Sequence, residues 1–137
     1  MKPTSARYTI FLLMFLIALI NYIDRGALSF SANAIATEYH LNKTQLGAVL
    51  GYFGIGYLLG SLCGGFLADR FGTRKVWLWA GLCWSVLEIA TAWAGEAGMA
   101  LFGGSALMGF ATLRLLFGFS EGPAYARMNK TISAWAP

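Results

Sequence analysis

The chain has 137 residues, 58% of them apolar and only 12% charged, where an ordinary soluble domain carries about 25% charged residues. That balance excludes a solvent-facing globule, a disordered tail and a disulfide scaffold, and Cys63 and Cys83 both sit inside apolar runs, so neither a disulfide framework nor a zinc site is indicated. The net charge of +4 does not point to nucleic acid, because the lysines and arginines form no stripe and fall in the gaps between apolar runs.

Four apolar segments follow one another, over about 8–36, 46–68, 76–94 and 99–122. As a helix, each is long enough to cross the ~30 Å of bilayer hydrocarbon. None alternates with the period of a barrel strand. The expected fold is therefore all-α, with four transmembrane helices in a lipid bilayer. The first segment has a basic start at Lys2 and Arg7 and small residues at Ala32-Asn33-Ala34, as a signal peptide would. Its apolar core is too long for one, however, and Asp24-Arg25 interrupts it.

The basic residues orient these segments. Lys2 and Arg7 precede the first, Arg70, Arg74 and Lys75 follow the second, and Arg127 and Lys130 follow the fourth; the two opposite connections carry only Lys43. The positive side is cytoplasmic, so both ends of the chain are expected there. The connections at 38–45, 69–75 and 95–98 are short, and the last reads as a turn. His40, in an outer connection, reads as solvated. Most tryptophans stand near segment ends, as interfacial anchors do. Gly47, Gly51, Gly56, Gly60 and Gly64 give the second segment a small-residue stripe for close helix packing.

Charges within the apolar segments are costly, by ~2.5–3.5 kcal/mol each on insertion scales, and usually face a working cavity. The first segment carries Asp24 and Arg25. Adjacent residues point about 100° apart on a helix, so separate partners are expected for them. The fourth carries Arg114 and Glu121, nearly two turns apart on one face, with Gly118 between them leaving room for a ligand or a neighbouring helix. Gly122-Pro123 follows, where a helix can kink. Glu88 in the third segment is expected to snorkel outward. No nucleophile elbow, phosphate loop or metal-ligand cluster occurs, so neither enzyme chemistry, a metal nor a cofactor is expected.

Between the second and third segments stands Gly65-Phe66-Leu67-Ala68-Asp69-Arg70-Phe71-Gly72-Thr73-Arg74-Lys75. Gly65 and Gly72 permit close approach and a sharp turn, and Asp69 can pin that turn through charge-assisted hydrogen bonds to Arg70 or Arg74. The pattern resembles the signature loop of the major facilitator superfamily. The resemblance implies a twelve-helix fold in two halves, of which this chain supplies the first part and lacks the C-terminal helices. It also implies a gating role for Gly65, Asp69, Arg70, Gly72, Arg74 and Lys75.

Asn21-Tyr22-Ile23-Asp24-Arg25, the run from Arg114 to Glu121-Gly122-Pro123, Asn129-Lys130 and Trp135 to Pro137 resemble the anion:cation symporter branch of that superfamily. The resemblance implies proton-coupled uptake of a small organic anion, such as a sugar acid, by a protein of the bacterial inner membrane. Carried over by position, Arg25 grips the substrate carboxylate, and Tyr22 and Tyr57 line the site. Asp24 and Glu121 carry protons, and Arg114 is their cationic partner. The chain departs from the branch pattern at Ser61, Cys63, Ala126 and Ala136, and the stretch from Trp84 to Arg114 is longer than usual. Two other readings remain in view: a complete four-helix exporter that dimerises, and a membrane assembly protein that transports nothing.

Overall fold

The computed structural model describes residues 5–135, less the side chains at 126, 127, 130 and 133–135. Lys2, Arg127, Lys130, Ala126, Trp135, Ala136 and Pro137, on which parts of the sequence reading rest, lie outside the described residues or side chains. Five helices follow in order: α1 (Ser5–Glu38), α2 (Lys43–Phe71), α3 (Thr73–Thr91), α4 (Ala94–Leu101) and α5 (Ala106–Trp135). No strand occurs among the described residues.

The ends of α1 and α2 have local causes. At the end of α1, Leu41 N–H donates to Ala36 O at 2.9 Å and His40 takes a positive φ of 54°, the backbone pattern of a helix C-terminal cap in which glycine is usual. His40 is thus the residue that turns the chain. Asn42 then opens α2 with a capping box: Gln45 N–H donates to Asn42 Oδ1 at 2.8 Å, and Asn42 N–H donates to Gln45 Oε1 at 2.9 Å. Gly72, at φ 86°, both ends α2 and precedes α3, so the signature loop is a one-residue break between two helices.

The apolar run read as 99–122 is not one helix. Residues 95–98, expected as a turn, belong to α4, which with α3 makes a pair bent by 82°. Gly103 and Gly104, at φ 63° and 91°, then break the chain before α5 begins at Ala106. By length and composition, α1 and α2 are each able to cross a membrane, and the bent α3–α4 pair makes a third such unit. α5 has 30 residues and is long enough, but Arg114 and Glu121 within it lower its hydropathy.

α2 and α5 form the tightest contact, and they run parallel. A Cβ on Gly56 would strike Leu115 O, one on Gly60 would strike Phe119 O, and one on Gly64 would meet Pro123 Cβ at 2.7 Å, so the contacts climb both helices together. From the other side, Gly118 lies against Phe53 O and Tyr57 N, and Gly122 against Ser61 N. Gly56, Gly60 and Gly64 of the stripe thus interlock closely with α5, and Gly118 and Gly122 with the α2 backbone, whereas Gly47 and Gly51, expected in the same stripe, have open space where a Cβ would stand. The space that Gly118 opens is taken by α2, not by a ligand.

α5 continues through Pro123. Proline has no N–H, so the Phe119 carbonyl loses its helical donor. That carbonyl is the one received against Gly60. Ser61, one of the departures from the branch pattern, donates from Oγ to Tyr57 O at 2.8 Å and lies 3.4 Å from Gly122 O, beside the same break. A smaller core joins α1, α2, α4 and α5 through Leu28, Val49, Ala94 and Phe110. Otherwise α1 meets α2 and α5 only sparsely.

Candidate functional site

The buried polar residues of α1 and α5 converge on one point. Along α1, Asn21 and Arg25 are one turn apart and share a face, and Asn21 is 1% exposed. Along α5, Arg114, Phe117 and Glu121 follow at spacings of three and four; Arg114 is 3% exposed and Glu121 0%. Arg25 Nε donates to Glu121 Oε2 at 3.2 Å, the only ion pair among the described residues. Glu121's partner is therefore Arg25, not the Arg114 expected from the sequence. The two arginines are held on different helices, and α1 packs so as to bring Arg25 to the deeper carboxylate.

The pair is only half used. Arg25 Nη2 and Glu121 Oε1 are both buried without a hydrogen-bond partner among the described residues. A bidentate arginine–carboxylate pair would have engaged both. Asn21 Oδ1 and the Tyr125 hydroxyl are buried and unpartnered as well. Buried polar atoms are normally satisfied, so four such atoms on residues around one ion pair mark a place prepared for a polar guest or for water.

Aromatic rings enclose the guanidinium. Arg25 Cζ lies 4.9 Å from the Tyr57 ring centre, 5.2 Å from Phe53, 5.3 Å from Tyr125 and 5.5 Å from Tyr22. All are within cation–π range. Phe53 and Tyr57 stack at 6.1 Å, and Tyr57 and Tyr125 meet edge to face at 6.1 Å. The site thus combines a hydrogen-bonding fork with flat apolar walls. Tyr22 is 62% exposed and leaves one side of the enclosure open. Tyr22 and Tyr57 were singled out in the sequence; Phe53 and Tyr125 were not. Phe53 stands one turn before Tyr57, and Tyr125 one turn after Glu121, so helical spacing from the chosen residues is the signal that finds them.

Arg114 occupies a second position. Its Cζ lies 5.0 Å from the Phe117 ring, its Nε is buried without a partner, and Glu88, Glu121 and Asp24 are the charges that act on it. Glu88 does not snorkel outward as expected. Its Oε2 is buried, and it shares with Arg114 a cavity of about 360 Å³. The reason is register: α3 packs on α5, and Glu88 stands on the face turned to Arg114. Asp24 is half-buried on the side of Trp84 and makes no pair with Arg25, whose ion-pair partner is Glu121; Asp24 itself closes no ion pair or hydrogen bond among the described residues.

The signature loop lies apart from this cluster. Asp69 and Arg70 are exposed, Arg70 Cζ sits 5.7 Å from the Phe71 ring, and Asp69 closes no ion pair with Arg70 or Arg74. The charge-assisted pin expected there is absent from this conformation; Gly72 and its N–H bond to Ala68 O at 3.0 Å make the turn instead. Gly65 has open space where a Cβ would stand, and Lys75 edges an apolar cavity between α2, α3 and α5. Among the described residues no three His, Cys, Asp or Glu side chains are placed to hold a metal ion.

Comparison with known proteins bears on this arrangement. The family model described as Major Facilitator Superfamily matches residues 14–137. The chain is 33% identical over 136 residues to a probable galactarate/D-glucarate transporter of Pseudomonas putida, covering 99% of this chain and 29% of that protein. It is 37% identical over 128 residues to a hexuronate transporter of Bacillus subtilis, covering 93% of this chain and 28% of that one. A D-galactonate transporter of Escherichia coli O6:H1 is 32% identical over 136 residues, covering 99% and 29%. The chain thus spans under a third of the length of these relatives. All three are named as transporters and none as an enzyme.

Proposed function

We infer the function from membership: the chain belongs to the Major Facilitator Superfamily, whose model matches residues 14–137. In our reading it is the first part of a secondary transporter of the bacterial inner membrane that takes up an organic anion with protons by alternating access. The anion is a sugar acid, of the hexonate, hexuronate or aldarate class. The names of the relatives support that class. The remaining helices of the fold complete the cavity.

The observation that carries this reading is the half-used Arg25–Glu121 pair inside its aromatic enclosure. An arginine fork stays charged and matches a planar carboxylate. With no substrate, Glu121 neutralises Arg25. A substrate carboxylate competes for the same guanidinium. Glu121, displaced into a dry cavity without its cation, is then cheaper protonated than ionised. Anion and proton thus load together, and charge at the pair is conserved. Tyr22 and Tyr57 line the anion's place, Asp24 is the second proton-carrying carboxylate, and Arg114 is a further cation near both. The loop carrying Gly65, Asp69, Arg70, Gly72, Arg74 and Lys75 changes contacts between inward-open and outward-open states. An assembly protein that transports nothing needs no intramembrane Asp24, Arg25 or Glu121, and the signature loop and the paired patterns of the first and fourth segments speak against a complete four-helix exporter.

Uptake by the full-length transporter in reconstituted vesicles tests this. Sugar acids are expected to accumulate under an inward pH gradient while aromatic acids do not. Accumulation without any pH gradient dependence contradicts the coupling.

A further inference from the structure

Glu88 has no part in the scheme above, yet its surroundings are built. It lines a cavity of about 360 Å³ together with Ser31, Glu38, Glu96 and Arg114, at the end of the bundle that carries the α1–α2 turn. Arg114 is 97% buried by its 3% exposure and turns toward this cavity with Nε unpartnered. Glu88 Oε2 is likewise buried and unpartnered, and the two close no ion pair. Two opposite charges share one cavity wall without bonding, which leaves each able to take another partner.

The chemistry of the wall selects the guest. Three carboxylates, Glu38 from α1, Glu88 from α3 and Glu96 from α4, line the cavity with one arginine, and Tyr39 lines it as well. No residue of α2 lines the cavity. Asp24 on α1 acts on Glu88, and Arg114 on α5 does so more strongly. A dicarboxylate entering here would meet repulsion from three sides, whereas a small cation would meet attraction. Beyond Arg114 lies Glu121, seven residues further along the same helix face.

We propose that Glu88 is a proton-carrying station between this cavity and the Arg25–Glu121 pair, with Arg114 as the cation that Glu88 faces when ionised. A solvent proton binds the Glu88 carboxylate and removes the negative charge that Arg114 faces across the cavity, and the same proton then leaves for the deeper carboxylates, restoring that charge. This rests on the proton-coupled reading given above and adds a third carboxylate to it.

The test uses Glu88→Gln and Glu88→Asp in the full-length transporter, reconstituted in vesicles with a hexuronate or aldarate as probe. Substrate counterflow, which needs no net proton movement, is measured beside pH-gradient-driven accumulation. Glu88→Gln is expected to keep counterflow and to lose about tenfold or more of the gradient-driven accumulation; Glu88→Asp is expected to restore most of it. Full gradient-driven accumulation by Glu88→Gln overturns the station and leaves the coupling reading intact. Loss of counterflow as well overturns it in favour of a structural role. If the unmodified protein ignores the pH gradient, the coupling reading falls and the station with it.

Discussion

Arg25 on α1 and Glu121 on α5, 96 positions apart in sequence, meet through Nε and Oε2 at 3.2 Å, and each keeps one polar atom unspent. A pair of this kind, with Glu121 fully buried and Arg25 part-exposed, is weak evidence for stability, because desolvation offsets much of its Coulomb energy. In the function proposed above it is a latch that a competing anion opens. The rings of Tyr22, Phe53, Tyr57 and Tyr125 all lie within cation–π reach of the guanidinium.

Removing the arginine should therefore fall on binding. Truncating one partner of a buried charged pair costs about 2–5 kcal/mol. With 1.4 kcal/mol per tenfold, Arg25→Ala in the full-length transporter is expected to weaken anion binding roughly 30-fold or more. Calorimetric titration with the transported sugar acid measures it. Binding within a few-fold of the unmodified protein would remove Arg25 from the site.

The interlock of α2 and α5 makes a separate claim about stability. A Cβ on Gly60 meets the Phe119 backbone, which no side-chain rotation relieves. Overpacking of this kind costs typically about 1–3 kcal/mol. Gly60→Ala should lower the unfolding temperature in detergent. Gly65→Ala, with open space at its Cβ inside α2, should not lower it. Equal effects at the two positions would mean that the helices do not meet as described.

Much of the site was legible in the sequence, because charge inside an apolar run is conspicuous: Asp24, Arg25, Arg114 and Glu121 stand out on cost alone. Which arginine holds Glu121 was not legible. Spacing places Arg114 and Glu121 on one helix face, but the winning contact crosses from α1, and helical spacing carries no information about a distant helix. Glu88 was misplaced for the same reason; a lone glutamate in a third apolar run does not disclose that α5 lies opposite. The break before α5 was hidden because apolar residues continue on both sides of Gly103-Gly104, and positive φ at a glycine leaves no mark in hydropathy. The signature loop was legible as a turn, though Gly72 makes it without the expected ion pair.

Asp69 closes no ion pair in this conformation, and in the function proposed above its effect falls on conformational exchange and not on substrate binding. Asp69→Asn removes the charge and nearly keeps the shape. Substrate affinity is expected to hold while the rate of uptake falls, as read by binding and initial-rate transport on the same preparation. Unchanged uptake would reduce the loop to a topology signal.

Glu121→Gln tests most directly whether the Arg25–Glu121 pair couples proton to anion. Glutamine keeps the shape of the protonated acid and cannot release a proton. In vesicles containing the full-length transporter, the variant is expected to exchange labelled for unlabelled sugar acid across the membrane, since binding to Arg25 and alternating access both survive, while uphill uptake under an inward pH gradient is lost. A Glu121→Gln protein that still concentrates substrate against its gradient as the unmodified transporter does would contradict the coupling role of this pair.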